Sequence, residues 1–427
     1  MIKELKVPLS DLIFCLSDAI DLISPFIANH HKRVAYIALN IALELNLSIS
    51  ERSQLVLAGL LHDCGCLNLK SRLEALEFEL ISPHQHALLG YRLLNKFPPL
   101  AEIAPLVLYH HLPWVEYERS PVKEQLPWLS QLLHLADRFD VLTAKPHPLP
   151  PKQVLEKIVQ HKSVFLPGAV AALEQLMKKE YFWLDLASPT LDSLLREQTG
   201  ITTVELDLDS LLSFAKLFAQ LVDFRNRFTA THSSGVAACA EILGRLSGFS
   251  ARELQMLRVA GYFHDVGKIM VPDTIINKPE RLTETEFATI KSHPYYTYRL
   301  LHPIAELETI TAWAAFHHEC LDGNGYPFHL AGADITLGSR IVAVADVFTA
   351  LTEERPYRAG MSKEQLTQVL HTFARKKALD PNLVGLAIEH FAEINNVRKL
   401  SQRQAADEYN DFMLAAELDF GKHPFAS

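Results

Sequence analysis

Residues 262–267 read Tyr262-Phe263-His264-Asp265-Val266-Gly267, and residues 60–65 read Leu60-Leu61-His62-Asp63-Cys64-Gly65. Four further pairs repeat in the same order. His30-His31-Lys32-Arg33-Val34-Ala35 resembles His232-Ser233-Ser234-Gly235-Val236-Ala237. His86, followed by Gly90 and Leu94, resembles His293, followed by Thr297 and Leu301. His110-His111 resembles His317-His318, and Leu135-Ala136-Asp137-Arg138-Phe139 resembles Val344-Ala345-Asp346-Val347-Phe348. The offset stays near two hundred residues throughout. Self-similarity at a steady offset means copies of one structural unit. Two tandem domains are therefore expected, over residues 1–203 and 204–427.

Between the motifs, apolar residues recur at three- and four-residue spacing in 34–47, 53–61, 86–94, 131–142, 211–222, 236–246, 253–263, 340–351 and 364–373. That is the period of one helix face. The best strand-like alternation is short, Val204-Glu205-Leu206-Asp207-Leu208-Asp209. Pro98-Pro99 and the prolines of 146–151 mark breaks. The expected fold class is all-α, as two helical bundles. Residues 204–225 would open the second copy or connect the two, and 395–427 reads as a helix with a disordered end.

The 427 residues carry a net charge of −9, and 48% are apolar. Such a balance argues against a general nucleic-acid surface, which would favour a basic patch. The five cysteines show no disulfide pattern, which predicts a reducing, cytoplasmic setting. Lys3, Glu4, Lys6, Asp11, Asp18 and Asp21 interrupt the first apolar runs. No signal peptide and no membrane-spanning helix are expected.

The repeated positions are His, His-Asp, His, His-His and Asp. A lone histidine on an apolar face is usually a satisfied core residue, but retention of all five positions in both copies points to metal. Imidazole nitrogens and carboxylates suit divalent iron, manganese or zinc. A carboxylate next to a histidine can bridge two cations while the imidazole binds one. Two metals about 3.5–4 Å apart can activate a bridging water and clamp a phosphoryl group. No thiolate cluster is present, so a structural zinc finger does not fit, and Cys64 and Cys66 read as packing. In the second copy His317-His318-Glu319 leads into Asp322-Gly323-Asn324-Gly325-Tyr326-Pro327. Glycine lets the backbone of such a turn approach a ligand closely.

With those residues in view, the second copy resembles the HD-GYP domain, a subset of the HD phosphohydrolases. The similarity runs from about Thr229 to about His390 and includes His264-Asp265-Val266-Gly267-Lys268, Ile276-Asn277-Lys278-Pro279, the Gly-Tyr-Pro turn and Arg355-Pro356-Tyr357-Arg358. The resemblance implies a helical phosphodiesterase that hydrolyses cyclic dinucleotides, cyclic di-GMP or 3′,3′-cyclic GMP-AMP, to a linear product. It implies two divalent metals, iron or manganese, and attack on phosphorus by a hydroxide bridging them. His232, His264, Asp265 and Asp346 would hold one metal. His293, His317 and His318 would hold the other, with Asp265 bridging. Lys268 would contact the scissile phosphate, making it and Asp265 the catalytic pair. Arg355 and Arg358 would grip the second phosphate, and Gly325 and Tyr326 would shape the pocket. Lys278 has a structural role or touches phosphate. Phe228 stands where some members carry a glutamate for a third metal. Thr297 replaces a common glycine, and Thr349 a common aspartate.

The first copy keeps a metal-type set, His30, His62, Asp63, His86, His110, His111 and Asp137. It has Cys66 in place of the lysine and Leu112-Pro113-Trp114 in place of the glycine turn. With no cation for the leaving oxygen, hydrolysis there should be slow. This copy is a metal-binding regulatory domain, an enzyme for another substrate, or a relic scaffold. For the whole chain, the rivals are a non-hydrolysing cyclic-dinucleotide receptor and an HD hydrolase of other nucleotides. The expected partner is a cyclic dinucleotide, with no nucleic-acid polymer and no membrane, and a homodimer is a candidate assembly.

Overall fold

The computed structural model describes residues 5–22, 29–66, 69–78, 84–144, 149–199, 204–225, 230–276, 278, 280–354 and 359–420. They are almost entirely helical. The strand-like segment after residue 203 contributes two residues. Glu205–Leu206 pairs antiparallel with Val7–Pro8, in the register Val7 to Leu206. The helix Leu208–Asp223 follows at once, with the Asp207 side chain accepting from Ser210 N at its start. Two compact units result: a first of residues 12–204 with 415–427, and a second of residues 1–11 with 205–414. The first eleven residues thus belong with the second copy. Among the described residues, no helix is long and apolar enough to cross a membrane.

The repeat extends below the level of motifs. In the first unit the helix His30–Glu44 ends where Asn46 adopts φ 55°, and in the second His232–Leu246 ends where Gly248 adopts φ 84°. Gly and Asn are the residues that reach this left-handed region most readily. Leu47 N then donates back to Ala42 O, and Phe249 N to Gly244 O, which closes each helix. The next helices, Ile49–Leu61 and Ala251–Phe263, start with the same capping box, Ser48 with Glu51 and Ser250 with Glu253. Each box satisfies two backbone donors that a helix start leaves orphaned. The two helices of each unit cross on small residues. A Cβ on Gly59 would lie 2.7 Å from Ala35 Cα, and one on Gly261 would lie 2.5 Å from Ala237 Cα.

These helix pairs carry the first histidine and the His-Asp pair to one side of each bundle. Behind them are apolar cores that include Val34, Ile37, Leu55 and Leu60 in the first unit, and Val236, Leu243, Leu257 and Phe348 in the second. The glycine after His-Asp is a packing requirement in both. A Cβ at Gly65 would sit 2.0 Å from His86 O, and one at Gly267 would sit 2.0 Å from His293 O. The third histidine of each copy is therefore pressed against the His-Asp turn.

Candidate metal centre

In the second unit five elements meet. His232 opens one helix, His264 and Asp265 follow another, His293 opens the helix His293–Leu301, His317 and His318 follow Glu308–Ala315, and Asp346 lies within Leu337–Thr352. His232, His264 and Asp346 offer donor atoms within 4.8 Å of one another, and so do His293, His317 and His318. Asp265 faces both groups. Its Oδ2 is 3.1 Å from His264 Nε2 and 3.9 Å from His232 Nε2, and its Oδ1 is 3.2 Å from His293 Nε2. Asp346 Oδ1 lies 3.1 Å from His232 Nε2.

Ring orientation follows from local hydrogen bonds. His264, His293 and His317 place Nδ1 at 2.7, 2.7 and 2.6 Å from the carbonyls of Gly261, Ile290 and Ala314. A carbonyl only accepts, so Nδ1 carries a proton, and each ring turns its Nε2 inward. The Nε2 atoms of His293 and His317 then face each other at 3.3 Å. His264 Nε2 and Asp265 Oδ1 are buried without a hydrogen bond. An unsatisfied buried polar atom costs about 1–3 kcal/mol. Cations among these lone pairs would remove the penalty, and a nitrogen and oxygen set suits iron or manganese. His232 is backed by Glu353, with Nδ1 3.1 Å from Oε2. A carboxylate behind a ligating imidazole orients it and raises its basicity.

Burial opposes charge at each group, and the neighbours decide the outcome. On Asp265, burial raises the pKa, but His264, Lys268 and His293 outweigh it and hold the carboxyl well below the usual range. On His232, burial lowers the pKa, but Glu353 and Asp346 outweigh it and lift it to about 10. Burial and neighbouring imidazoles push His317 well down, and burial with His293 takes His318 to about 3. Neutral imidazole is the form that binds metal.

Lys268, on the short helical turn Val266–Met270, donates to Asp265 Oδ2 at 2.5 Å. Its side chain is 29% exposed against 5% for Asp265, so the ammonium stands at the open edge of a buried carboxylate. The turn after His317-His318 is anchored by buried Glu319, which accepts from Phe328 N and Leu330 N at 2.7 and 3.0 Å. A Cβ on Gly325 would lie 2.3 Å from Cys320 N, so only glycine fits that crossing. Tyr326 lays its ring against His318, with centroids 4.9 Å apart. Thr297, which departs from the family pattern, accepts from Gly267 N and donates to His264 O, both at 3.0 Å. It thereby ties the His-Asp turn to the third histidine's helix. Thr349 donates to Cys239 Sγ. Lys278 pairs with Glu286 at 2.7 Å, a structural tie. Arg355, Arg358 and Phe228 lie outside the described residues.

The first unit repeats the geometry. Asp63 Oδ2 is 3.6 Å from His62 Nε2 and 4.0 Å from His30 Nε2, and its Oδ1 is 3.3 Å from His86 Nε2 and 3.7 Å from His110 Nε2. Asp137 Oδ1 lies 3.5 Å from His30 Nε2. His111 Nε2 is 3.0 Å from His86 Nε2. One expectation is corrected. Cys66 does replace the lysine, but a cation is nevertheless present: Arg72 Nη1 lies 3.6 Å from Asp63 Oδ2. It comes from the separate helix Leu69–Ala75, at no motif spacing. His31 joins the same cluster. Its Nδ1 bonds Asp21, and its Nε2 accepts from Arg72 Nη1 at 3.2 Å.

Glu353 and Asp140 also escaped sequence reasoning. Asp140 backs His30, with Oδ2 2.7 Å from Nδ1, as Glu353 backs His232. Asp140 is three residues past Asp137, and Glu353 seven past Asp346. Both spacings return to the same helix face, a signal that was available.

A family model described as HD domain matches residues 15–164 and 216–383. The chain is 33% identical over 404 residues to the 3′3′-cGAMP-specific phosphodiesterase 1 of Vibrio cholerae, covering 91% of this chain and 93% of that protein. It is 33% identical over 200 residues to a cyclic di-GMP phosphodiesterase of Thermotoga maritima, 44% of this chain and 52% of that one. The crystal structure of the Vibrio cholerae cyclic GMP-AMP-specific phosphodiesterase V-cGAP3 is similar in fold. The TM-score is 0.64 at 24% identity, over 92% of this chain and 98% of that one.

Proposed function

Because this chain belongs to the HD domain family, we propose that its second copy, residues 204–427, is a metal-dependent phosphodiesterase of cyclic dinucleotides. The split of the Asp265 carboxylate between two histidine groups, with Lys268 on the same carboxylate, carries this proposal. His232, His264 and Asp346 would hold one divalent cation, His293, His317 and His318 the other, and Asp265 both. Iron or manganese best matches these donors. Such cations supply Lewis-acid charge neutralisation and a lowered pKa for water.

The chain's own residues prepare the site for that chemistry. Three backbone carbonyls and Glu353 fix the imidazoles, so ligand geometry is set before substrate arrives. Lys268 offers a positive charge where the scissile phosphate would approach. In the reaction one P–O bond to water's oxygen forms, one ester P–O bond breaks, and the leaving oxygen takes a proton. The product is a linear dinucleotide. The 3′3′-cGAMP specificity stated for the full-length relative supports 3′,3′-cyclic GMP-AMP as the first substrate to test, with cyclic di-GMP beside it. The five free cysteines support a cytoplasmic setting. The test is chromatography of both nucleotides after anaerobic incubation with ferrous iron or manganese. Linear product is expected from the parent protein and none from His264→Ala. No product from either nucleotide in either metal would overturn the proposal in favour of a receptor.

A further inference from the structure

Lys268 rides on a turn of five residues, and the side chain that grips this turn comes from outside every motif of the repeat. We propose that Arg225 is a positioning residue for the hydrolysis: its guanidinium fixes the backbone beneath Lys268, which holds the ammonium at the open edge of the Asp265 carboxylate. The inference rests on the placing of Lys268 at the scissile phosphate under the proposed function.

The turn needs support from elsewhere. Val266–Met270 is a 3-10 helix, a form whose hydrogen bonds have poorer geometry and which rarely runs beyond a few residues. Within it Lys268 N donates to Asp265 O and Val271 N to Lys268 O, both at 2.9 Å. Arg225 adds four bonds from one group. Its Nη1 donates to Lys268 O at 3.2 Å and to Ile269 O at 2.9 Å. Its Nη2 donates to Val271 O at 3.1 Å and to Asp273 Oδ1 at 2.6 Å. The lysine's own carbonyl, the end of the turn and the start of the helix Asp273–Ile276 are thus tied to one planar fork. The Arg225 side chain is only 4% exposed, so water competes little for these bonds. A lysine stem is flexible, and where its ammonium points depends on where its backbone is held. A misplacement of about 1 Å at a reacting centre can cost about 10²-fold in rate.

Comparing the two copies separates this role from a plain structural one. Asp223 accepts from the Ser233 side chain, and Asp21 bonds His31, the residue matching Ser233. Asp21 and Asp223 therefore correspond. In the register they set, Ile23 stands in the sequence where the second copy has Arg225, just as Cys66 stands where it has Lys268. The His-Asp turn nevertheless starts in the same way in both units, with Cys66 N donating to Asp63 O at 2.9 Å as Lys268 N does to Asp265 O. Starting the turn does not require the arginine. Arginine and lysine occur together in one copy and are replaced together in the other, which ties the guanidinium to the lysine's task.

The test is a double-mutant cycle on the full chain, with a cyclic dinucleotide as substrate and saturating manganese. Arg225→Met should lower kcat about 10–100-fold, with KM and bound manganese within about twofold of the parent's. Arg225→Lys should recover part of that loss, because an ammonium reaches some of the same carbonyls but lacks the fork. Since Arg225 acts through Lys268, Arg225→Met/Lys268→Met should turn over no more slowly than Lys268→Met alone. A parent-like kcat in Arg225→Met, or losses that multiply in the double variant, would overturn the proposal. If circular dichroism shows Arg225→Met unfolded, the same cycle is run with Arg225→Lys. A second readout needs no turnover. Labelling of Lys268 by acetic anhydride in the metal-free protein, followed by mass spectrometry, should be several-fold faster in the Arg225 variant, whose ammonium is no longer held on Asp265. Equal labelling would overturn the proposal. Absent turnover in the parent protein would instead count against the hydrolase assignment, and the labelling rates would still decide the role of Arg225.

Discussion

Glu353→Gln isolates what the residue behind His232 contributes. Glu353 is buried, and its Oε2 serves both His232 Nδ1 and Gln402 Nε2, each at 3.1 Å. The substitution keeps size and an acceptor but removes the charge. His232 then loses the largest of the influences that lift its pKa to about 10 against the opposing burial. Its Nε2 becomes a weaker donor to metal. Removing an outer partner of a ligating histidine lowers metal affinity about 10–100-fold, or about 1.4–2.7 kcal/mol. Protons compete less for the same nitrogen in the variant, so the loss should be largest at high pH. Titration of the metal-free protein with manganese, followed by turnover of a cyclic dinucleotide, gives the apparent affinity. The half-saturating metal concentration should rise by that factor while turnover at saturating metal stays within about threefold of the parent. An unchanged metal requirement would refute the role of Glu353. So would a turnover defect that saturating metal does not repair.

Lys268→Met should lower kcat by about 10²–10³, the usual loss for one charged transition-state contact. Its metal content should equal the parent's, and unimpaired turnover would remove Lys268 from the chemistry. Gly325→Ala forces a Cβ to within 2.3 Å of Cys320 N, and relieving such overpacking costs about 1–3 kcal/mol. The thermal midpoint should drop and activity fall, with far-UV circular dichroism unchanged; a parent-like melt would contradict the close crossing. The raised folded-state pKa of His232 stabilises the metal-free chain fully below its unfolded value near 6.5. That contribution is lost as pH rises through about 10, so metal-free melting should fall from pH 7 to 10. Metal should flatten the trend, and a metal-free melting point that rises over that range would contradict the sign. Burial pushes the thiols of Cys64 and Cys239 up to about 12. Iodoacetamide at pH 8 should therefore label partly exposed Cys320 first, as read by mass spectrometry of the native protein.

Much of this protein was legible in one dimension. Helix periodicity is a local property, so nine apolar stretches announced an all-α chain. The repeat of His, His-Asp, His, His-His and Asp named histidines and aspartates that the fold brings together in each unit, but not Glu353, Asp140 or Arg72 beside them. What needed three dimensions were relations between residues far apart in sequence. The division of Asp265 between two histidine groups depends on which helices press against the His-Asp turn, a consequence of Gly267 fitting beneath His293. Arg72 beside Asp63, which replaces the missing lysine, arrives on another helix at no recurring interval. Exposure is decided the same way. The two units spell nearly the same ligands, yet one runs on into a turn with exposed Asp322 and Asn324 and the other into the apolar cluster of Leu112 and Tyr117. Sequence pattern encodes which side chains share a face. Which charge neutralises a buried carboxylate, and whether solvent reaches it, is settled by the packing of elements that share no local periodicity.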